Sequence, residues 1–301
     1  MLTVVLALLA AAGYSGSDYT AGLAAREADV VQVTFVAELV YCILLVAAVP
    51  FASSQSPSWS ALVWGAVAGI SGAVAAMALY LGFRYAAFSV VSSVSAVGSA
   101  AFSVLAGLLL GERPGAASLA GVALALPAIA AVSINNDQPH PANADSATGN
   151  PSTIGRRHAT GQHTAGLVCG VVAGVGFGLF FLGLNQAGSG SDLWPLAAAA
   201  LAGLAVVFFV AVAMSQVGLP PRGSRRLAIS SGFTSAAGTY AFFLATHRGL
   251  LAITAVITSL YPAGTIMLAR LFLRERLTVM RIAGLCLAAI SIGLIAAANA
   301  H

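Results

Sequence analysis

The chain contains no lysine, and charged residues make up only 7% of its 301 residues. It has neither the HExxH pair of a zinc hydrolase nor the GxxxxGK[ST] loop of a protein that hydrolyses nucleotides. Its three cysteines, Cys42, Cys169 and Cys286, show no pairing or metal-binding spacing. These absences argue against an enzyme, against direct use of ATP, and against a bound metal or other cofactor.

Apolar sequence is what the chain has in abundance. Hydrophobic residues make up 59%, and the mean hydropathy is +0.94, which a soluble core of this length does not require. About 20 apolar residues in a helix cross the roughly 30 Å of membrane hydrocarbon. Such spans can be placed at 2–23, 31–50, 61–83, 87–110, 116–134, 165–186, 193–214, 227–246, 250–272 and 279–298. We predict an all-α integral membrane protein with ten transmembrane helices.

The sequence is internally duplicated. A shift of 163 positions aligns the two halves without a gap, with Gly13 on Gly176, Asp29 on Asp192, and Glu112 on Glu275. Each half holds five spans, an odd number, so the second half crosses the membrane in the opposite sense. Many secondary transporters are inverted repeats of this kind, with the substrate site where the halves meet.

Three segments follow from this duplication. The first five-helix repeat covers 1–134 and the second covers 165–301. The polar segment between them, 135–164, has too few apolar residues to form a core, so we predict a disordered linker. Its histidines lack the spacing of a metal site, and no metal is expected there.

The arginines predict the orientation. Two fall on the side of the two termini and ten on the opposite side. The positive-inside rule therefore places the linker in the cytoplasm and both termini outside a plasma membrane that the chain crosses several times. The net charge of +4 reflects this bias and requires no nucleic-acid partner.

One short motif occurs in matching places in the two halves, and two others occur once. Residues 108–113 read LLLGER and their counterparts 271–276 read LFLRER, while 13–19 read GYSGSDY and 81–86 read LGFRYA. With the ten-helix plan, they make the chain similar to EamA-type transporters of the drug/metabolite transporter (DMT) superfamily. This resemblance implies secondary transport, usually export, of a small metabolite, amino acid or drug. It also implies cytoplasmic termini, whereas the arginines favour external ones.

Two carboxylates lie inside the predicted spans, namely Asp18 and Glu38. A charge in the bilayer is costly, so a carboxylate that persists there is a functional candidate. At 1.5 Å per residue, both lie roughly 7 to 11 Å inside neighbouring antiparallel helices. Burial and like charge both favour the protonated form, which makes the pair a candidate for proton coupling. The second half has Phe181 and Leu201 instead, so the scaffold does not need these carboxylates.

Hydroxyl-bearing side chains recur on one face of the fourth and of the ninth span. The two faces carry Ser92, Ser95 and Ser99, and Thr254, Thr258 and Tyr261. We predict that they line a substrate cavity together with Tyr14 and Tyr80. Hydrogen bonding between helices is the alternative role for such faces.

Other paired features suggest structural roles. Glu112 with Arg113, and Glu275 with Arg276, stand at span ends, where anchoring, helix capping or gate pairing is expected. A ridge of glycines at every fourth position, Gly166, Gly170, Gly174 and Gly178, predicts close helix packing within the chain. A homodimer through the same ridge is the alternative.

The sequence thus predicts a carrier that works by alternating access in the lipid bilayer and exports a small molecule coupled to protons. A lipid or lipid-carrier flippase and an uncoupled facilitator are the alternatives. A flippase would show a lateral opening, whereas a metabolite carrier would show a closed cavity sized for a small molecule.

Overall fold

A computed structural model describes residues 2–52, 56–85, 88–133, 153–188 and 192–261, and then 263–265, 267, 268, 280, 283, 284, 286, 287, 289–291 and 294. These residues include nine α-helices, and no strand occurs among them. The helices are α1 Leu2–Glu27, α2 Val30–Ala52, α3 Trp59–Tyr85, α4 Phe88–Leu109, α5 Ala116–Ser133, α6 Thr153–Gln186, α7 Trp194–Ala213, α8 Arg222–Thr246 and α9 Leu251–Thr258.

The helices follow the apolar runs, because a helix satisfies its backbone hydrogen bonds internally and can therefore cross lipid. Within the described part of the chain, α1, α2, α3, α6, α7 and α8 are long and apolar enough to span a membrane. Shorter apolar helices accompany them. The chain is therefore an all-helical protein of multi-pass membrane type.

Two helix ends differ most from the predicted spans, the start of α6 and the end of α9. The helix α6 begins at Thr153, inside the segment predicted to be a disordered linker. Its apolar part, Thr164–Gln186, coincides with the predicted span. Hydropathy reports the length that crosses lipid and not where the helical backbone begins, which explains the difference.

The helix α9 is interrupted by a turn within its predicted span. It ends at Thr258, Ser259 and Leu260 form the turn, and helical backbone follows at 261 and 263–265. Glu275, Arg276 and most of the predicted tenth span, 279–298, lie outside the described residues, so the ten-helix count stays a prediction.

Helices of the first half pack on helices of the second half. A contact between two positions of the repeat occurs twice, the second time with first-half and second-half residues exchanged. The first-half helix α1 lies antiparallel to α8, and α3 lies antiparallel to α6. A Cβ added to Gly13 would come 2.6 Å from Cα of Gly238. At the counterpart positions, a Cβ added to Gly176 would come 2.8 Å from Cβ of Ala75. Both contacts join the same pair of repeat positions, with the halves exchanged.

Two further close approaches follow the exchange to within one position. A Cβ on Gly69 of α3 would overlap the carbonyl of Ala199 of α7. A Cβ on its counterpart Gly232 of α8 would overlap the carbonyl of Ala37 of α2, one position after the counterpart of Ala199. All four residues line one cavity, which therefore lies between the halves.

The glycine ridge of α6 packs against α4. A Cβ on Gly174 would come 3.1 Å from Cα of Gly98, and one on Gly178 would come 2.6 Å from the ring of Phe102. Gly170 likewise faces Val94. The ridge therefore seats two helices of this chain against each other, as small residues do in membrane bundles.

Candidate functional site

The cavity between the halves is lined by residues of α1, α2, α3, α6, α7 and α8 and by Tyr261. The space in it that can hold the centre of a water-sized sphere is about 80 Å³, and the cavity is partly open to the outside. Small-molecule sites in proteins measure about 300 to 1,000 Å³, so the cavity is narrow in this arrangement of the helices.

Its lining follows the repeat. Tyr14, Ser17 and Asp18 of α1 face the cavity, and so do the residues 163 positions later, namely Phe177, Phe180 and Phe181 of α6. The same three repeat positions thus supply polar groups from the first half and phenyl rings from the second.

In the third helix of each repeat, the first half supplies the apolar lining residues and the second half the polar ones. Gly69, Gly72 and Ala76 of α3 line the cavity opposite their counterparts Gly232, Ser235 and Thr239 of α8. Here the second half supplies the hydroxyls. Since α1 packs on α8 and α3 on α6, the cavity has a polar wall, formed by α1 and α8, and an apolar wall, formed by α3 and α6.

Hydrogen bonds between α1 and α8 hold the polar wall in place. The Tyr14 hydroxyl bonds the Thr239 hydroxyl at 3.1 Å, and the Ser17 hydroxyl bonds the Ser231 hydroxyl at 2.9 Å. Such bonds satisfy polar groups that lipid would otherwise leave without partners. They fix two side chains of the wall beside Asp18.

Rings that pack on one another form much of the apolar wall. Phe181 stacks on Phe242 with ring centroids 4.4 Å apart, and Phe180 lies 5.7 Å from Phe181. Tyr14 approaches Phe181 from the polar side at 6.2 Å. The phenyl groups are thus held in place before any solute enters.

Asp18 and Glu38 both line the cavity, from α1 and α2. Asp18 is only 8% exposed. Tyr80 of α3 interacts electrostatically with both carboxylates. Among the described residues that line the cavity there is no lysine, arginine or histidine. Neither carboxylate therefore has a basic partner among the described lining residues.

The structure places the predicted cavity residues in two regions. Tyr14, Tyr80 and Tyr261 line the cavity beside the two carboxylates. Five hydroxyl residues do not line it and are buried elsewhere, namely Ser92, Ser95, Ser99, Thr254 and Thr258.

The hydroxyl faces of α4 and α9 belong to the packing between helices. The Ser99 hydroxyl bonds the Ser259 hydroxyl at 3.1 Å, and Thr258 Oγ1 donates to the carbonyl of Ala7 at 3.5 Å. A helical period identifies which residues share a face, but not which neighbour that face meets. Of the residues on these two faces, Tyr261 lines the cavity and the five serines and threonines do not. The alternative of interhelical hydrogen bonding describes Ser99 and Thr258.

Several lining residues went unpredicted, although the sequence carries a signal for some of them. Phe177 and Phe181 are the counterparts of Tyr14 and Asp18, so the repeat alone points to them. Tyr41 lies three residues after Glu38 and shares its helical face. Thr239 and its neighbours on α8 could be found only by knowing which helix packs on α1.

Glu112 caps a helix of the other half. Its Oε1 accepts from the backbone N–H of Leu251 at 2.6 Å, and its Oε2 accepts from that of Ala252 at 3.0 Å, both in the first turn of α9. A carboxylate at a helix N-terminus satisfies free N–H groups and meets the positive end of the helix dipole. Arg113 beside it is exposed.

Comparisons with known proteins agree with this architecture. Residues 164–297 match the EamA-like transporter family, which is part of the DMT superfamily, and the match confirms the resemblance predicted above. No curated protein matches the chain. One solved structure, titled "Crystal structure of protein", superposes on this chain with a TM-score of 0.71 and 15% sequence identity. The superposition covers 97% of this chain and 95% of that chain. At that identity the likeness shows the fold alone.

Proposed function

We propose, on the premise that this chain is an EamA-like membrane transporter of the DMT type, that it exports a small metabolite in exchange for protons by alternating access. The observation that carries the proposal is the cavity between the halves, with two carboxylates and no basic partner on its described lining. The cavity would hold the solute, and Asp18 and Glu38 would hold the protons.

The proton coupling follows from the cost of charge in a water-poor site. An ionised carboxylate inside a membrane is strongly disfavoured unless something neutralises it. Because the described lining has no basic side chain, a proton or the solute itself must do so. A carrier whose helices rearrange only when Asp18 and Glu38 are neutral would link proton movement to solute movement.

The matched contacts of the halves support alternating access. Gly13 on Gly238 and Gly176 on Ala75 are equivalent contacts with the halves exchanged. If one half takes the arrangement of the other, the cavity would open to the opposite side, which is how inverted repeats work as carriers. Small residues at these contacts let the backbones approach closely and slide.

The shape of the cavity favours a metabolite over a lipid. Its described lining comes from six helices and Tyr261, on both the polar and the apolar wall. A flippase needs a lateral opening long enough for a lipid head group and tails. A lining that comes from all six of these helices supports a solute held between the halves instead.

Comparison of culture media by untargeted mass spectrometry tests the proposal. Cells would express the wild-type chain, the double variant Asp18→Asn, Glu38→Gln, or the control Asp29→Asn, at equal membrane abundance. Asp29 Oδ1 accepts from the N–H of Val31 at 2.8 Å at the start of α2, away from the cavity, and asparagine keeps an acceptor there.

We expect a small metabolite to accumulate outside cells with the wild type and with the control, but not with the double variant. Media that match those of cells without the chain would contradict export. Accumulation above that level, equal with the wild type and the double variant, would identify an uncoupled facilitator.

A further inference from the structure

Helix α9 is interrupted inside the bundle, at a point where its counterpart in the first half is continuous. It ends at Thr258, and the chain turns at Ser259 and Leu260. The residues 163 positions earlier than this turn are Ala96 and Val97, which lie within the unbroken helix α4. The repeat alone therefore does not require the break in α9.

The break leaves a backbone carbonyl without its usual partner. In a continuous helix the N–H of Leu260 would donate to the carbonyl of Val256, but here it donates to that of Ile257 at 3.2 Å. No described backbone N–H bonds the Val256 carbonyl, although Val256 is fully buried. The C-terminal end of α9 thus presents a free oxygen and the negative end of the helix dipole to the turn.

Hydroxyl groups of α4 and of the α9 region surround this turn. The hydroxyls of Ser99 and Ser259 lie 3.1 Å apart, and the Tyr261 hydroxyl lies beside that of Ser95. Thr258 Oγ1 donates over a long distance of 3.5 Å to a carbonyl of α1. All five side chains are buried. We call these five residues the hydroxyl cluster.

Two members of the hydroxyl cluster have no hydrogen-bond partner, namely Ser95 Oγ and the Tyr261 hydroxyl. Both adjoin the turn, because Tyr261 follows it directly and Ser95 lies beside Tyr261. Ser92, Ser103 and Thr254 on the same two helical faces are also buried without a partner. Buried polar groups in proteins are nearly always paired, so such a concentration of unpaired hydroxyls indicates a bound ion or water.

We propose that the hydroxyl cluster and the free end of α9 bind a sodium ion. The ion would be held by the hydroxyl oxygens of Ser95, Thr258 and Ser259 together with the Val256 carbonyl. Broken helices whose free carbonyls and C-terminal ends hold Na⁺ occur in other membrane carriers. Of the hydroxyl cluster, Tyr261 alone lines the cavity, so the ion would fix the turn that positions this side chain.

The types of ligand favour a cation with a single charge. Calcium and magnesium sites are built with carboxylates, and zinc sites with imidazole or thiolate groups. The hydroxyl cluster has none of these groups, and no group of three such side chains that could hold a metal occurs among the described residues. Neutral carbonyl and hydroxyl oxygens are the ligands with which membrane proteins bind sodium and potassium. The negative end of α9 favours a cation over an anion.

Thermal unfolding of the purified protein in detergent tests the proposal. The melting temperature is compared in sodium, potassium and choline chloride at equal ionic strength, and binding of radioactive sodium is measured on the same samples. An ion that binds only the folded state stabilises it. We therefore expect a higher melting temperature in sodium chloride than in the other two salts, and saturable binding of sodium.

Two outcomes of these measurements would overturn the proposal. Equal melting temperatures in the three salts, without saturable sodium binding, would assign the unpaired hydroxyls to ordered water. Equal stabilisation by sodium and potassium would overturn the assignment to sodium. Neither measurement involves transport, so the result does not depend on the proposed export function.

Substitutions in the hydroxyl cluster locate the ion. Ser95→Ala and Thr258→Val each remove one hydroxyl, and each should weaken sodium binding about tenfold. Ser224 of α8 is also buried without a hydrogen-bond partner but lies outside the cluster, so Ser224→Ala should bind sodium as the wild type does. The melting temperature of each variant in choline chloride is its baseline, so a general loss of stability does not imitate a loss of sodium binding.

The double variant Asp18→Asn, Glu38→Gln distinguishes this site from the cavity. Carboxylates also attract sodium, and an ion held between Asp18 and Glu38 would be lost in that variant. We expect the double variant to retain saturable sodium binding. Loss of binding there, with unchanged binding in Ser95→Ala and Thr258→Val, would place the ion in the cavity and overturn the site at α9.

Discussion

Gly13 of α1 lies against Gly238 of α8 so closely that a Cβ on Gly13 would come 2.6 Å from the Cα of Gly238 and 2.8 Å from its N atom. The atoms in the way are backbone and cannot turn aside as a flexible side chain can. The spacing of the two helices beside the cavity is therefore set by the absence of side chains at this point.

Substitution of Gly13 by alanine should force α1 and α8 apart. Overpacking of this kind costs about 1 to 3 kcal/mol, and we expect that loss in the free energy of unfolding measured by SDS titration in mixed micelles. Gly115→Ala is the control, since nothing lies within 4 Å of an added Cβ there. Equal stability of the two variants would show that the contact is looser than described.

Removal of the Glu112 carboxylate should destabilise the start of α9. Glu112→Ala leaves the N–H groups of Leu251 and Ala252 without their acceptors, at a cost of about 1 to 2 kcal/mol. Glu112→Gln keeps one acceptor oxygen and should lose less. Because Arg113 is exposed, Arg113→Ala should stay within about 0.5 kcal/mol of the wild type. A larger loss from Arg113→Ala than from Glu112→Ala would point to a gate pair instead of a cap.

Replacement of Ser99 or Ser259 by alanine should lower the stability of the protein by different amounts. The Ser99 hydroxyl also donates to the carbonyl of Ala96 at 3.1 Å, so it accepts from Ser259. Ser99→Ala removes that acceptor and should cost about 1 to 3 kcal/mol, whereas Ser259→Ala leaves Ser99 with a partner and should cost less. The double variant should recover most of the loss in the same SDS titration. Additive losses would mean that the two hydroxyls do not pair.

The membrane imposes helix length, and this is why the helices could be predicted closely. The described helices α2 and α7 begin and end within two residues of the predicted spans at 31–50 and 193–214. Asp18 and Glu38 stood out because charge is rare in such spans, and the structure places both on the wall of one cavity.

Which helices pack against one another was harder to predict than where the helices lie in the sequence. Nothing in the hydroxyl period of α4 shows that Ser99 meets Ser259 and not the cavity. In the same way, Thr239 on α8 becomes part of the polar wall only because α8 packs on α1. The internal duplication could have predicted some lining residues, since Phe181 of the opposite wall is the counterpart of Asp18.

The orientation in the membrane is a separate prediction. Ten arginines against two place the linker side in the cytoplasm and both termini outside. A small epitope on the C-terminus should then be accessible to antibody on intact cells, and an epitope within the linker should not be. Labelling of the linker alone would support the cytoplasmic termini that the family resemblance implies.

The central claim is that Asp18 and Glu38 couple protons to solute movement. It is tested most directly in liposomes that contain the purified protein and a pH-sensitive dye, to which a small-molecule extract of the expressing cells is added. We predict proton movement that depends on the extract with the wild type and with Asp29→Asn, and none with the Asp18→Asn, Glu38→Gln double variant. Proton movement of the same size in the double variant would contradict the claim.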